Sequence, residues 1–326
     1  MKTRALITGI TGQTGSYMAD LLLEKDYEVY GLIRRTSQTS TWRINHCLDR
    51  IRLIPGDLTD QGSLARALKL STPDEVYNFA SQSHVGTSFE EPLHTGDVTG
   101  LGALRLLEAV HQVLPQTHFY QASSSEQFGN SLLQLKSEDT SFHPVSPYGC
   151  AKVFAHLCMQ VYRKAYQQFI VCGIAFNHES PRRSEEFVTR KITKAVAEIK
   201  LGKRDILRLG NTLSLRDWTH AKDIVQGIWL AMQQKTPDDY VFASGMSHSV
   251  QEFLEAAFQV VALEWNQYVH IDPTLYRPTD IHDLCGNADK AFHLLGWKPR
   301  ITFLELVKEM VTYDFEALSR CSSRSA

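Results

Sequence analysis

Apolar positions in this chain fall into short blocks whose period alternates between strand-like and helix-like. "RALITG" near the N-terminus is an apolar run of strand length, and "GSYMADLLLEKDY" after it gathers Met18, Leu21, Leu22 and Leu23 toward one side of a helix. The same pair of signals repeats. Strands are predicted at "EVYGLI", "IRLIPG", "EVYNFA" and "THFYQA", with helical stretches such as "DQGSLARALKL" and "LGALRLLEAVHQV" between them. From about Ser146 a long helix, "PYGCAKVFAHLCMQVYRKAY", leads into a further strand, "FIVCGIAF". Strands alternating with helices over short connections predict an α/β fold, a doubly wound parallel sheet with helices on both faces.

Beyond "NHESPRRSEEF" the spacing loosens into a helix "VTRKITKAVAEIKLG", a strand "DILRLG", a helix "HAKDIVQGIWLAMQ" and a Pro- and Asp-rich stretch around "IDPTLYRPTD". The expected division is a sheet domain over 1–178 with later crossing segments, a smaller mixed α/β lobe mainly over 179–316, and a tail over 317–326. The composition of "SRCSSRSA" predicts no fixed structure for that tail.

Length and composition sharpen this picture in a few places. A chain of 326 residues accommodates one large α/β domain and a smaller one. A formal charge of −2 provides no general attraction for nucleic acid or acidic lipid, so partners must be argued from local sites. The six cysteines are scattered without CxxC pairs or zinc-finger spacing, which reads as free thiols in a reducing compartment and no metal site. The start "MKTRALITG" lacks a signal peptide's apolar run, and no segment approaches a membrane span; a cytoplasmic protein with no membrane partner is expected.

"GITGQTG" places Gly9, Gly12 and Gly15 between the first strand and the first helix, with Thr11 inside the turn. Such a turn brings backbone N–H groups and a helix N-terminus close to a pyrophosphate; a tight turn without a ligand is the alternative. At the end of the second strand, where an acid would bind the ribose of NAD, stand Arg34 and Arg35 with Thr36 and Ser37. Positive charge and hydroxyls there suit a 2′-phosphate, so NADP is the expected cofactor, with Arg35 equally open to a solvent-facing role. "GDLTD" puts Asp57 and Leu58 by the adenine, and "ASQSHV" runs Ala80, Gln82 and Ser83 along the pyrophosphate.

"SPYGCAK" supplies Tyr148 and Lys152 four residues apart at the start of a helix. On one helix face the ammonium is expected to stabilise a phenolate and lower the tyrosine pKa, giving a base for a hydroxyl proton as hydride leaves. "QASSSEQFG" adds Ser124 and Glu126 where a strand ends. Together these segments resemble the extended short-chain dehydrogenase/reductases. "FNHESPRR", "FVTRK", "RLGN", "RDW", "YRPTD" and "LGWKPR" narrow the resemblance to the GDP-mannose 4,6-dehydratases, from Met1 to roughly Tyr313.

That resemblance implies a Rossmann-type domain holding NADP and a lobe holding a GDP-sugar. It further implies the conversion of GDP-D-mannose to GDP-4-keto-6-deoxy-D-mannose, a hydro-lyase reaction of deoxysugar biosynthesis. Tyr148 becomes the base at the C4 hydroxyl, Lys152 its partner and Ser124 a hydrogen-bond donor to the same oxygen. Glu126 takes the C5 proton and delivers one to the departing C6 oxygen. Ser83, Asn177, Glu179, Val188, Lys191, Arg216 and Arg277 are implied as further substrate contacts, the three basic residues facing the diphosphate.

The chain departs from the family's pattern at Thr14, where an acid is common, at Ser124, where Thr is common, and at Gln127 and Phe128. These changes leave room for a related substrate such as a GDP-heptose. A sugar-nucleotide epimerase or reductase, which has no essential task for Glu126, and a noncatalytic NADP-sensing module are the rival readings. The family's assembly implies at least a homodimer through helices "LGALRLLEAVHQV" and "PYGCAKVFAHLCMQVYRKAY", and a homotetramer through Arg182, Arg183 and the segment after Arg34.

Overall fold

The structure is a computed structural model describing residues 2–36, 40–132 and 134–323. Its centre is a seven-stranded, all-parallel sheet ordered Asp239–Phe242, Ile170–Ala175, His118–Ser124, Glu75–Asn78, Arg4–Thr8, Glu28–Ile33, Ile51–Pro55. The strand order reverses between Arg4–Thr8 and Glu75–Asn78, and such a switch point opens a crevice at the carboxyl ends of the strands. The buried strands read as continuous apolar runs because helices cover both faces. Helices Gln13–Glu24 and Ala221–Met232 close one face over Met18, Leu22, Ile224 and Ile228. Gln61–Ser71, Gly102–Val113 and Pro147–Ala165 close the other over Leu64, Leu106, Val110 and Met159. On the first helix, Leu21 and Leu23 flank the buried Met18 and Leu22 as half-buried neighbours.

A second packing unit joins helices Val188–Lys200, Val250–Val260 and Phe303–Ser323 around Ile192, Trp218, Phe253 and Met310. It carries the strand Leu215–His220, which pairs in parallel with Asn177–Glu179 and so stands beside the end of the main sheet. The expected tail is a correction: the last helix runs on to Ser323, past 317. An established helix adds one hydrogen bond per residue fixed, so it outlasts its apolar stripe. No helix among the described residues is long and apolar enough to cross a membrane.

Candidate active site

One cavity of about 720 Å³ runs from the glycine turn across the carboxyl ends of the strands to the second packing unit. Gly9, with φ +66°, could not carry a side chain without meeting the Ala80 nitrogen at 2.9 Å. A Cβ on Gly15 would lie 2.3 Å from the Gly9 carbonyl oxygen. Gly12 caps helix Gln13–Glu24 without a side-chain bond, and no acid occupies the first turn. The turn is therefore a close-packed backbone cradle at a helix N-terminus, suited to a phosphate. Gly15→Ala is expected to weaken dinucleotide binding by about 100-fold or more, read by titration of the cofactor against protein fluorescence, because the added methyl must push the turn open.

Thr11, Arg34, Asp57, Leu58, Ala80, Gln82 and Ser83 all line the cavity. Arg34 is solvent-exposed at its edge; Arg35 is exposed and contributes nothing to the lining, while Ser37 lies outside the described residues. Burial opposes ionisation of Asp57, but the backbone and hydroxyl of Thr59 and the charge of Arg34 hold its carboxyl below the ordinary range. The side-chain oxygen of Gln82 is buried with no partner among the described residues, whereas its amide nitrogen donates to the His84 carbonyl. A bound N–H or hydroxyl would satisfy that oxygen. Cradle and orphaned acceptor both fit a dinucleotide.

Past the cradle, the strand His118–Ser124 ends in a capping arrangement. The Ser124 hydroxyl accepts from the Glu126 N–H at 3.3 Å, and the Ser124 N–H donates to the Gln127 side-chain oxygen at 2.8 Å. Gln127 is fully buried and absent from the cavity lining, so it holds the serine instead of shaping the cavity. The S-x-x-Q spacing of a capping box was the signal for this role. Gln127→Leu leaves the buried Ser124 N–H unpaired and is expected to cost about 1–3 kcal/mol in urea unfolding, less whatever its own unpaired amide nitrogen now costs.

Helix Pro147–Ala165 starts beside this strand end: the Ser146 hydroxyl accepts from the Gly149 N–H at 3.0 Å and Pro147 occupies the first turn. In that first turn, the Tyr148 hydroxyl faces Ser124, whose side chain acts on it as a hydrogen-bonding partner that favours the phenolate. Lys152 Nζ donates to the Ala122 carbonyl at 2.8 Å and lies 5.7 Å from the Tyr148 ring centroid. Here the expected depression of the tyrosine pKa is corrected. Burial pushes Tyr148 up to about 12 and the charge of Glu126 adds to this, against the Ser124 hydrogen bond. Burial pushes Lys152 down to about 8. Desolvation outweighs proximity because the ammonium is directed at a backbone carbonyl. Burial also raises Glu126, with Arg216 and Arg277 opposing and Asp280 assisting, so this carboxyl holds a proton more tightly than a surface acid does.

The far end gathers Asn177, Glu179, Val188, Lys191, Arg216 and Arg277 into the same lining. Glu179 is already engaged, accepting from Thr189 Oγ1 at 2.7 Å and pairing with Arg183 at 3.1 Å; burial raises its pKa. Arg216 is buried, donating to the Leu215 and Ile281 carbonyls at 2.8 Å each and to Asp280 at 2.9 Å, while Arg277 stands 3.7 Å from the same carboxylate. The three expected basic groups are thus accompanied by Asp280, an acid that sequence reasoning passed over inside "YRPTD". Burial, with Arg204, lowers the Lys191 pKa.

Thr14 also finds a definite task. Its hydroxyl lies 2.8 Å from His178 Nε2, while His178 Nδ1 lies 2.9 Å from the Phe176 carbonyl. Burial and Arg183 lower this imidazole to about 4, so Nδ1 carries the hydrogen and Nε2 accepts from Thr14. Arg182 bonds Asp20 at 2.8 Å within the chain. Among the described residues, Asp20, His46 and Cys47 lie close enough together to hold a metal, but they stand outside the cavity lining and Asp20 already serves His46 and Arg182.

A family model described as GDP-mannose 4,6 dehydratase matches residues 6–310. The chain is 51% identical to GDP-mannose 4,6 dehydratase 1 of Arabidopsis thaliana, over 97% of this chain and 91% of that protein. It is 45% identical to the human GDP-mannose 4,6 dehydratase, over 96% and 92%. Its fold matches that of the dTDP-glucose 4,6-dehydratase DesIV of Streptomyces venezuelae, crystallised with NAD bound, with TM-score 0.86 at 22% identity over 98% of each chain.

Proposed function

We propose how the reaction is divided among these residues from the premise that the chain belongs to the GDP-mannose 4,6-dehydratase family. Its activity is the conversion of GDP-D-mannose to GDP-4-keto-6-deoxy-D-mannose with loss of water, a hydro-lyase reaction. The single observation that carries this reading is a carboxyl, Glu126, placed in one cavity with a Ser124–Tyr148–Lys152 set. An epimerase needs only the latter set.

The cradle at Gly9, Thr11, Gly12 and Gly15, with Arg34, Asp57, Leu58, Ala80, Gln82 and Ser83, holds the dinucleotide. Arg34 favours NADP. A nicotinamide held by these residues would supply the hydride acceptor for C4 and the hydride donor for C6. Tyr148 takes the proton of the C4 hydroxyl through an oxygen that Ser124 also holds, and the Lys152 ammonium favours the phenolate once ligands exclude water from the site. The C4 ketone acidifies the C5 proton. Glu126 removes it and gives a proton to the C6 oxygen, which leaves as water; C5 takes up a proton as hydride adds to C6 in place of the lost hydroxyl. Over a turnover Tyr148 gains one proton and C5 requires one, so a proton must pass from the tyrosine to the C5 face or exchange with solvent.

Asn177, Glu179 and Val188 border the sugar nucleotide, while Lys191, Arg216 and Arg277 set a positive potential for its diphosphate, moderated by Asp280. Exposed Leu101, Phe154, Leu157 and Val161 on and beside the helices Gly102–Val113 and Pro147–Ala165 support a homodimer through that face; a monomer's mass in light scattering would contradict it. Incubation of pure protein with GDP-mannose and NADP, followed by mass spectrometry, tests the activity: a product lighter by one water is expected, and unchanged GDP-mannose with bound cofactor would overturn the substrate.

A further inference from the structure

Tyr148, Lys152, His156 and Gln160 follow one another at intervals of four on the helix Pro147–Ala165, which sets them along one stripe of that helix. The first two belong to the reaction. His156 does not reach the cavity, yet it is 1% exposed and fully engaged. Its Nδ1 lies 2.8 Å from Ser123 Oγ, and its Nε2 lies 3.1 Å from the Gln160 amide nitrogen and 3.4 Å from Asp239. Gln160 also donates to Asp239 at 2.8 Å, and Arg163 bonds the other oxygen of that carboxylate at 2.5 Å. The Phe142 ring meets the imidazole edge-on at 5.1 Å. Nε2 thus faces an amide hydrogen and a carboxylate, while Nδ1 and the Ser123 hydroxyl share one hydrogen bond.

Ser123 lies between the two residues that the catalytic helix grips, Ala122 through Lys152 and Ser124 through Tyr148. The seam between strand end and helix therefore has three successive bridges. Tyr148 exchanges a proton in every turnover, and Lys152 must answer the charge that this creates. Only the Ser123–His156 bridge keeps the same chemistry throughout, anchored to the strand Asp239–Phe242 through Asp239.

We propose that His156 is a positioning residue for this reaction: through Ser123 it fixes the separation between the strand end bearing Ser124 and the helix bearing Tyr148 and Lys152. A drift of about 1 Å across such a seam is enough to cost on the order of 100-fold in rate. The inference rests on the dehydratase reading, so wild-type turnover of GDP-mannose is measured alongside; its failure would sink that reading, while the variants alone decide this one.

His156→Phe keeps a ring against Phe142 and removes both nitrogens. Its kcat is expected to fall by roughly 10- to 100-fold, with the KM for GDP-mannose and the cofactor affinity within about twofold of wild type. His156→Asn, whose amide offers Ser123 either a donor or an acceptor from near the Nδ1 position, is expected to recover kcat to within about threefold. Ser123→Ala should reproduce the fall, and adding it to His156→Phe should cost little more. An unchanged kcat in Ser123→Ala or His156→Phe, a loss confined to KM, or an Asn variant as impaired as the Phe variant would overturn the proposal. If His156→Phe fails to fold, Ser123→Ala carries the same decision alone.

Discussion

Glu126→Gln is expected to bind cofactor and GDP-mannose as the unaltered protein does and to form the 4-keto-6-deoxy product about 1,000-fold more slowly, the range of a lost general acid–base. The amide preserves the shape of the carboxyl beside Arg216 and Arg277 but can neither take the C5 proton nor protonate the C6 oxygen. The stalled species is therefore the 4-keto hexose with its C6 hydroxyl in place, and exchange of the C5 hydrogen with deuterated solvent disappears; both are read by mass spectrometry. The same substitution tests the electrostatics. Burial raises the Glu126 pKa, so the folded state binds the proton more tightly than the unfolded chain does. The stability this confers is full below the ordinary carboxyl pKa and is lost as pH rises through the folded value. Above that window the glutamine protein should be the more stable of the two in urea, and unchanged rates together with unchanged stability would contradict the placement of this carboxyl.

Lys152→Met carries the second large effect, and its two readouts move in opposite directions. Activity should drop by about 100- to 1,000-fold because no ammonium remains to favour the Tyr148 phenolate. Stability at neutral pH should rise. Burial lowers Lys152 from 10.5 to about 8, so below pH 8 the folded protein carries a charge that is better solvated in the unfolded chain. A shift of that size is worth on the order of 3 kcal/mol, and the Ala122 carbonyl left without its donor takes back about 1–3 kcal/mol, so a net gain of about 1 kcal/mol is expected. The sign is distinctive. Between pH 8 and 10.5 the unfolded chain holds more protons at this site than the folded one, so the unaltered protein gains stability with rising pH while the Met variant does not. Urea midpoints that fail to converge as pH rises would show that the lysine is not desolvated.

The parts of this molecule that sequence reasoning reaches are those whose chemistry is local. Three glycines between a strand and a helix declare a cradle, because only glycine tolerates the contacts at Gly9 and Gly15. Tyr148 and Lys152 share a face by helical period alone. What the sequence hides depends on burial and on partners distant along the chain. The direction of the Tyr148 shift is such a case: spacing predicts a depressed phenol, whereas burial raises it. Asp280 reads as one acid in a loop until folding sets it against Arg216. The edge strand Asp239–Phe242 has only four residues after a polar turn, too short for its period to declare itself, yet it completes the sheet and anchors His156. The last helix shows an amphipathic stripe through Leu306, Val307, Met310 and Val311, and its continuation to Ser323 follows from backbone propagation that composition does not report. Thr14, conspicuous as a departure from an expected acid, has its reason in His178, a residue far along the chain.

The most direct test of the whole account follows the hydrogen that begins on C4. GDP-mannose carrying deuterium at C4 is incubated with the pure protein and unlabelled NADP, and the product is examined by mass spectrometry and proton NMR. The account predicts a product lighter by one water that retains the deuterium, now on C6, with no net reduction of cofactor. A sugar of unchanged mass with the label still on C4 or inverted there, or label lost to the cofactor pool, would contradict it.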